Sequence, residues 1–429
     1  MTEIVRPVAI LGGARIPFAR SYTAYVDASN QDMLTAAFVA LIAKFDLKGE
    51  TLGEVAAGAV IKHSRDWNLT REAAQGAGLD PHTPAYDVQR ACGTSLTTTV
   101  QLAQRIARGE IECAMAGGVD TASDVPLVYN RGFARIALAS TRGKTLAQRI
   151  SPWLALRPRD LKPSAPTVAE PRTGLSMGEH CELMAKEWGV GRVEQDELAL
   201  ASHLKAAAAW REGFYADQVV AFAGLAADNN VRTDTSLAKL SALKPVYDRS
   251  GSGTLTAGNS TPLTDGASCV LLASESWARS RGLPVEAWLT HSAVAAVDYA
   301  GLAGPREGLL MAPTYAVPAM LDRAGITLQD FDIYEIHEAF AAQVLCTLKA
   351  WESESYCRDK LGRSAPLGAI DRSKLNPKGG SVALGHPFAA TGTRIVATLA
   401  RQLAQRGSGR GLISICTAGG MGVTAILER

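Results

Sequence analysis

Apolar residues recur along this chain in two alternating rhythms. Short continuous runs give way to longer stretches with helical spacing, a pattern that predicts a sheet interleaved with helices. Residues 8–11 read as a buried strand, and 33–44 repeat apolar side chains at helical spacing. Residues 55–61 form a second strand pattern, and 70–78 a short helix with Thr70 placed to cap it. Residues 86–89 then run toward Cys92. A long helical pattern follows over 94–108, stops at Gly109, and leads into a strand at 113–116 closed by Gly117-Gly118.

The same plan returns near the other end. Residues 331–336 read as a strand and 339–348 as a helix; 381–384 read as a strand ending at Gly385-His386-Pro387. A helical stretch follows, then a strand at 412–415, Cys416 and Gly419-Gly420. LAQRIARGE from Leu102 followed by AMAGG resembles LARQLAQRG from Leu399 followed by ICTAGG. The pattern is a duplicated α/β unit, and it sets Cys92 and His386 at equivalent turns of the two halves. The halves divide as 1–275 and 276–429, with a stretch of different character inserted at about 121–250. The insertion opens with the basic, Pro-containing run from Arg131 (RGFARIALASTRGKTLAQRISPWLALRPRDLKPSAP) and continues with the helical MGEHCELMAKEWGV and DELALASHLKAAAAW. It reads as a cap on the core. Its basic part is either a solvated surface or a cationic rim for a phosphorylated ligand.

Composition narrows the class. The 429 residues suit two or three domains, and 47% hydrophobic with 20% charged residues excludes disorder as the dominant state. Lys and Arg total 44 against 42 Asp and Glu, so charge demands neither a nucleic-acid nor a membrane partner. No apolar run approaches the roughly 18 residues of a transmembrane helix. The opening MTEIVRPVAILGGARIPF, with Glu3 early and only a short apolar strand, does not read as a signal peptide. Seven cysteines (92, 113, 181, 269, 346, 357 and 416) form no CxxC pair, which points to free thiols in a reducing, cytoplasmic setting.

Four positions carry candidate chemistry. Cys92, in VQRACGTS, stands where a strand turns into a helix, and the helix N-terminus there favours a thiolate. Against that, a free cysteine is often a small core residue. His386, in GHPFAATG, is held at a tight turn between Gly385 and Pro387. If the two repeat turns face each other, thiol and imidazole meet as a nucleophile–base pair. Cys416, in CTAGGMG, follows an apolar strand, with glycines that leave backbone N–H groups open as in an oxyanion hole or a phosphate turn. His337 and Glu338 open HEAFAAQ without the second histidine of a zinc protease, and no His/Cys grouping has metal spacing, so no metal site is expected. Histidines 63, 82, 180, 203 and 291 read as structural or exposed.

Taken together, ACGTS at Cys92, TAGNSTPLTDGA from Thr256, HEAFAAQ from His337, GGSVALGHPFAATG from Gly379 and CTAGGMG from Cys416 resemble the thiolase family, in the family's order. ARIPF from Ala14, REAAQGAGL from Arg71 and MGEHCELMAKEWG from Met177 extend the resemblance over almost the whole chain. HEAF in place of the commoner NEAF is similar to the branch that serves fatty-acid β-oxidation multienzyme complexes. Two departures stand out: Ala418 replaces a glycine of the C-x-G motif, and Thr261-Pro262 replace a Ser-Gly pair.

The resemblance implies an α/β fold of two duplicated halves stacked as a five-layered αβαβα core, with a loop domain over coenzyme A. It implies CoA-dependent cleavage of a 3-ketoacyl-CoA, ping-pong through an acyl-cysteine, with CoA as substrate and no bound cofactor. Cys92 becomes the nucleophile, His386 its base, and Cys416 the acid that protonates the departing acetyl-CoA carbanion. His337, through a water, joins His386 at the enolate oxygen, and the backbone N–H groups of Cys92 and Ala418 hold the tetrahedral oxyanion. Met177, Asn259, Ser260 and Thr261 are the implied CoA contacts. A homodimer or tetramer is implied, as is a hydratase–dehydrogenase α-subunit as partner. Three alternatives share the fold: a biosynthetic acetoacetyl-CoA thiolase, a condensing ketoacyl synthase, and a non-catalytic acyl-CoA binder. Cys416 argues against the synthase, and the joint presence of Cys92, His386 and Cys416 against the binder.

Overall fold

Successive residues of a strand point to opposite faces, and here both faces are apolar, so both must be covered. The computed structural model, which describes residues 6–429, shows how. Glu3, on which the reading of the opening stretch leans, lies outside the described residues. The first half runs β1 (Val8–Arg15), β2 (Ala19–Arg20), α1 (Asn30–Lys44), β3 (Glu54–Ala57), α2 (Leu69–Gly76), β4 (Ala85–Asp87), α3 (Thr94–Ala107) and β5 (Cys113–Asp120). An inserted stretch holds α4 (Arg131–Arg142), α5 (Leu146–Ile150), α6 (Met177–Glu187), α7 (Arg192–Arg211) and α8 (Leu237–Ser241) before the chain returns as β6 (Thr264–Ser274). Then come α9 (Glu275–Ser280), β7 (Ala287–Ala296), α10 (Pro313–Ala324), β8 (Ile333–Ile336), α11 (Ala341–Glu352) and α12 (Glu354–Asp359). The chain closes with α13 (Ser381–Leu384), α14 (Thr391–Arg406), β9 (Arg410–Thr417) and β10 (Met421–Glu428).

The strand order is β4-β3-β5-β6-β1-β7-β10-β9-β8, with β2 beside β6. β3 is parallel to β5, β5 antiparallel to β6, and β6 antiparallel to β1. The strands β8, β9, β10 and β7 repeat that series of pairings, so the two halves are related by a pseudo-twofold. They meet along Val8↔Leu289, Ala9↔Trp288 and Ile10↔Ala287.

Strand alternation then builds the layers. Ala9 and Leu11 of β1, Met115 of β5 and Leu271 of β6 face Met33 and Leu34 of α1 and Ala73 of α2. Their neighbours Val8, Ile10, Ala116 and Leu272 face the other way, onto Leu96 and Leu102 of α3 and Ile395 and Leu399 of α14. Ile413 and Ile415 of β9 and Val423 of β10 close on the same two helices from the far side. Leu412 and Ile426 point outward to α10 and α11. The result is the five-layered αβαβα core of two stacked halves, with α3 and α14 as its middle layer.

That middle layer requires very close backbone approach. A Cβ on Gly392 of α14 would lie 2.2 Å from the Leu96 backbone nitrogen, and one on Gly118 would lie 2.1 Å from the Ala389 carbonyl. Ser95 Oγ accepts from the Thr393 N–H at 2.9 Å across the same contact. The heads of the two helices are thus held together, each preceded by one reactive side chain.

Two local expectations are corrected. Thr70 sits inside α2; Asn68 holds the cap position, and the Asp87 carboxylate accepts from the Leu69 and Thr70 N–H groups at 3.2 and 2.8 Å. Residues 381–384 form a helical turn, α13, and not a strand. A four-residue apolar run reads as either by periodicity alone, and the Val382 N–H donating to Glu338 at 3.2 Å helps hold the helical choice.

The inserted stretch docks on the core through a buried fork: Arg15 Nη1 and Nη2 donate to Asp228 at 2.6 and 2.7 Å. Its basic part is different. α4 and α5 bury no residue, and every Arg and Lys from 131 to 162 is exposed. No helix among the described residues is long and apolar enough to cross a membrane.

Candidate active site

The chain reverses sharply between β4 and α3. Gly93 N–H donates to the Arg90 carbonyl at 3.0 Å and Thr94 N–H to that of Ala91 at 3.1 Å. Ala91 lies at φ +43°, a left-handed conformation that a side chain disfavours and that surrounding structure must enforce. The turn presents Cys92 at the head of α3, partly exposed, whereas the other six cysteines are buried.

His386 stands at the head of the partner helix. Gly385 before it is at φ +99°, and a 3-10 turn over Phe388–Ala390 leads into α14. Its Nδ1 is 2.5 Å from Thr391 Oγ1, and that hydroxyl donates its single hydrogen to the Pro387 carbonyl at 3.2 Å. With the hydroxyl donating there, its oxygen accepts from Nδ1–H, the tautomer that leaves a lone pair on Nε2. That Nε2 is buried and has no partner among the described residues.

His337 follows β8. Its ring centroid lies 4.2 Å from that of His386, and its Nδ1 is 2.8 Å from Ser381 Oγ. Glu338 beside it faces inward and accepts from Ser202 Oγ at 2.7 Å and Asn376 Nδ2 at 2.6 Å, so it braces the loop. One donor atom each from Cys92, His337 and His386 lies within 4.8 Å of the others. Sequence spacing gave no metal, yet the fold gathers three nitrogen and sulfur donors; their arrangement is equally that of a thiol flanked by two imidazoles.

Cys416 is buried near the end of β9, close enough to Cys92 that a charge on Cys92 raises the Cys416 pKa. The turn into β10 uses Gly419 and Gly420 at φ +76° and +70°, and Glu170 Oε1 fixes it by accepting the Gly419 N–H at 2.8 Å. The backbone N–H groups of Ala418 and of Cys92 itself favour the charged form of the Cys92 thiol.

Electrostatics correct one expectation. Burial pushes the Cys92 thiol up to about 12, outweighing the Ala418 N–H, so the resting group is a thiol and not the thiolate a helix N-terminus alone favours. Burial pushes His386 down to about 3, with the Arg394 guanidinium acting in the same direction. Burial, His386 and Arg394 hold His337 well below the usual imidazole range. Burial and Cys92 raise Cys416. All four shifts disfavour charge on these thiols and imidazoles.

The implied CoA contacts divide. Met177 opens α6, half-buried against the cluster that contains Cys416. Asn259 is fully buried and spends its amide internally, accepting from Thr256 N–H at 2.7 Å and donating to Asp196 at 3.0 Å. Ser260 is buried with an unpartnered hydroxyl, and Thr261 donates to the Ala339 carbonyl at 3.1 and 3.2 Å through N–H and Oγ1. This strap is also what secures the loop bearing His337.

Sequence reasoning passed over Asp120, Ser381, Thr391 and Arg394. Asp120, at the end of β5, accepts from Val60, Ile61 and Ala389 N–H groups at 2.9, 2.7 and 2.6 Å, joining both halves beside the site. The first three lie in or beside quoted motifs. The partners of Asp120 and Ser381 are tens to hundreds of residues away, whereas Thr391 finds His386 and Pro387 close in sequence, brought into contact by the turn itself.

The two halves match family models in turn: residues 8–276 match the thiolase N-terminal domain and 290–429 the thiolase C-terminal domain. The chain is 42% identical over 427 residues to a 3-ketoacyl-CoA thiolase of Yersinia pestis, spanning 98% of this chain and 96% of that protein; one from Yersinia pseudotuberculosis matches equally. Among solved structures, a Bacillus anthracis acetyl-CoA acetyltransferase superposes at TM-score 0.82 with 27% identity over all of both chains. Human mitochondrial 3-ketoacyl-CoA thiolase, also solved in complex with CoA, superposes at 0.80 with 27% identity over 99% of this chain and 98–99% of that one. In both halves, and over nearly its full length, the chain belongs to the thiolase family.

Proposed function

We propose that this thiolase, an acetyl-CoA C-acyltransferase, cleaves 3-ketoacyl-CoA with CoA in fatty-acid β-oxidation. The observation that carries the reading is the meeting of Cys92, His386 and His337, with Cys416 adjoining. Cys92 attacks the C3 ketone as His386 Nε2 takes the thiol proton, and backbone N–H groups of Cys92 and Ala418 hold the oxyanion. Each such donor is worth roughly 3 kcal/mol in comparable sites. The C2–C3 bond then breaks toward C2. His337 and the newly protonated His386 face the enolate oxygen, and Cys416 delivers a proton to C2 to release acetyl-CoA. The acyl group stays on Cys92. Incoming CoA gives its thiol proton to Cys416 and attacks the thioester, and the Cys92 sulfur recovers its proton from His386. No bound cofactor enters this cycle; CoA is substrate. Neutral resting groups fit it, because proton transfer need occur only when the ketone is in place.

Met177, Ser260 and Thr261 border the path for CoA in this reading, with Asn259 holding them in place. The division near residues 275 and 276, a cytoplasmic location, a homodimer or tetramer and a hydratase–dehydrogenase partner belong to the same proposal. The test is thiolysis of 3-ketoacyl-CoAs of increasing acyl length. Turnover that requires free CoA and yields acetyl-CoA is expected. No cleavage at any length, by protein whose Cys92 is still alkylatable, overturns the reading.

A further inference from the structure

His337 is the residue that separates this chain from the commoner NEAF pattern, and its chemistry depends on which ring nitrogen carries the proton. An imidazole beside a second imidazole is useful as an oxyanion donor only if its inward nitrogen is protonated. The inward nitrogen is Nε2, buried and without a partner among the described residues; the outward one, Nδ1, meets Ser381 Oγ at 2.8 Å. Ser381 has a second neighbour: Arg394 Nη2, at 2.6 Å. Arg394 is itself buried at 2% exposure, and its Nε and Nη1 have no partner.

A guanidinium only donates, so the Ser381 oxygen accepts from Arg394. The hydroxyl hydrogen then has one acceptor within reach, His337 Nδ1. The reverse arrangement, Nδ1–H donating to Ser381, leaves that hydroxyl hydrogen buried without an acceptor, which is the costlier state. We infer that Ser381, held by Arg394, is a positioning residue that fixes His337 as the Nε2–H tautomer, a neutral donor aimed at the reacting oxygen. Across the 4.2 Å ring contact, Thr391, when it donates to the Pro387 carbonyl, accepts from His386 Nδ1–H, which is the opposite tautomer. Two chemically identical side chains thereby take different tasks, His386 Nε2 accepting a proton while His337 Nε2–H donates a hydrogen bond. The nearby positive charge of Arg394 also opposes protonation of either ring. The donor's use in catalysis rests on the thiolase reading above, but the tautomer itself does not.

The test begins with unmodified protein labelled with 15N-histidine, with His337 resonances assigned by their loss in His337→Asn. A protonated Nε2 and an unprotonated Nδ1 at His337 near pH 7 are expected, since the two tautomers differ in their 15N shifts. A protonated Nδ1 overturns the inference whatever the activity. In Ser381→Ala the tautomer preference should weaken and kcat fall about ten- to hundredfold, below the 10²–10³ typical of losing an oxyanion donor outright, with KM little changed. Ser381→Thr, which keeps the hydroxyl, should recover most of both. A fixed Nε2–H signal and near-normal kcat in folded Ser381→Ala would assign the tautomer to some other contact and overturn the role of Ser381.

Discussion

At the residue scale the site depends on groups kept neutral by burial. Cys92 and Cys416 are both thiols, yet their settings differ: Cys92 stands at a helix head, partly exposed as a residue but with its sulfur enclosed beside His337 and His386, and Cys416 is fully buried. Brief treatment with a 3-ketoacyl-CoA in the absence of CoA should place the acyl mass on the Cys92 peptide. In Cys416→Ala that adduct and CoA-ester binding should persist, with turnover down about 100- to 10,000-fold because the carbanion has lost its acid. Turnover within a few fold of the parent removes that role, and an adduct on Cys416 reverses the pair. Neutral burial also leaves a pH signature. His337 is held well below its unfolded value near 6.5, so below that pH the unfolded chain binds a proton the folded chain refuses. Stability from this group is present above about pH 6.5 and is lost as pH falls, by up to about 1.4 kcal/mol per unit. Asp120 and Glu335, pushed up to about 7 chiefly by burial, act in the opposite sense, so the comparison must be between proteins. Denaturant unfolding of His337→Asn should show a shallower loss of stability from pH 6.5 to 4.5 than the parent; parallel curves would mean that His337 titrates normally in the folded protein.

At the scale of elements, what matters is how two helix heads from opposite halves are brought together. Gly392 against Leu96 and Gly118 against Ala389 permit the approach, and Asp120 fixes its register by holding the loop after β3 and the turn after His386. An asparagine at 120 retains one accepting oxygen but turns an amide donor toward an N–H group. Asp120→Asn should therefore lower unfolding free energy by about 1–3 kcal/mol. Acylation of Cys92 should slow by about tenfold or more, since a small misplacement of reacting groups is expensive. Stability and acylation both at parental levels would reduce Asp120 to a spectator. The exposed basic run is an element of another kind: α4 and α5 face solvent with all their Arg and Lys, as either a solvated surface or a rim for a phosphorylated ligand requires.

At the scale of the whole molecule, the insertion between the adjacent strands β5 and β6 enlarges one half without disturbing the pseudo-twofold, because both its ends lie at the same edge of the core. It docks through Arg15 and Asp228, and it supplies Glu170 to the glycine turn after Cys416, so it takes part in forming the site. Under the proposed function the enzyme receives its 3-ketoacyl-CoA from a hydratase–dehydrogenase subunit. Co-purification at native abundance followed by sizing should recover that subunit with this chain; a homo-oligomer alone would remove the partner from the proposal.

Much of this was readable in the chain itself. The alternation of buried strands and helices, the repeat that pairs Cys92 with His386, and the order of the motifs are local or short-period patterns, and such patterns survive in a linear string. Thr70 and residues 381–384 were misread because Asp87 and Glu338, distant in sequence, decide a cap and a helical turn. The ionisation of Cys92 is only half legible in sequence: the helix end that favours a thiolate is visible there, but the burial that opposes it is not. Tautomers lie further still from the linear record, because Ser381 acquires its role through hydrogen bonds to His337 and Arg394 that only the folded C-terminal half brings together, and Thr391 through the conformation of the turn after His386. Sequence determined which groups are available for chemistry. Tertiary structure decided their protonation, because charge and hydrogen-bond partners depend on distances through space that no spacing along the chain encodes.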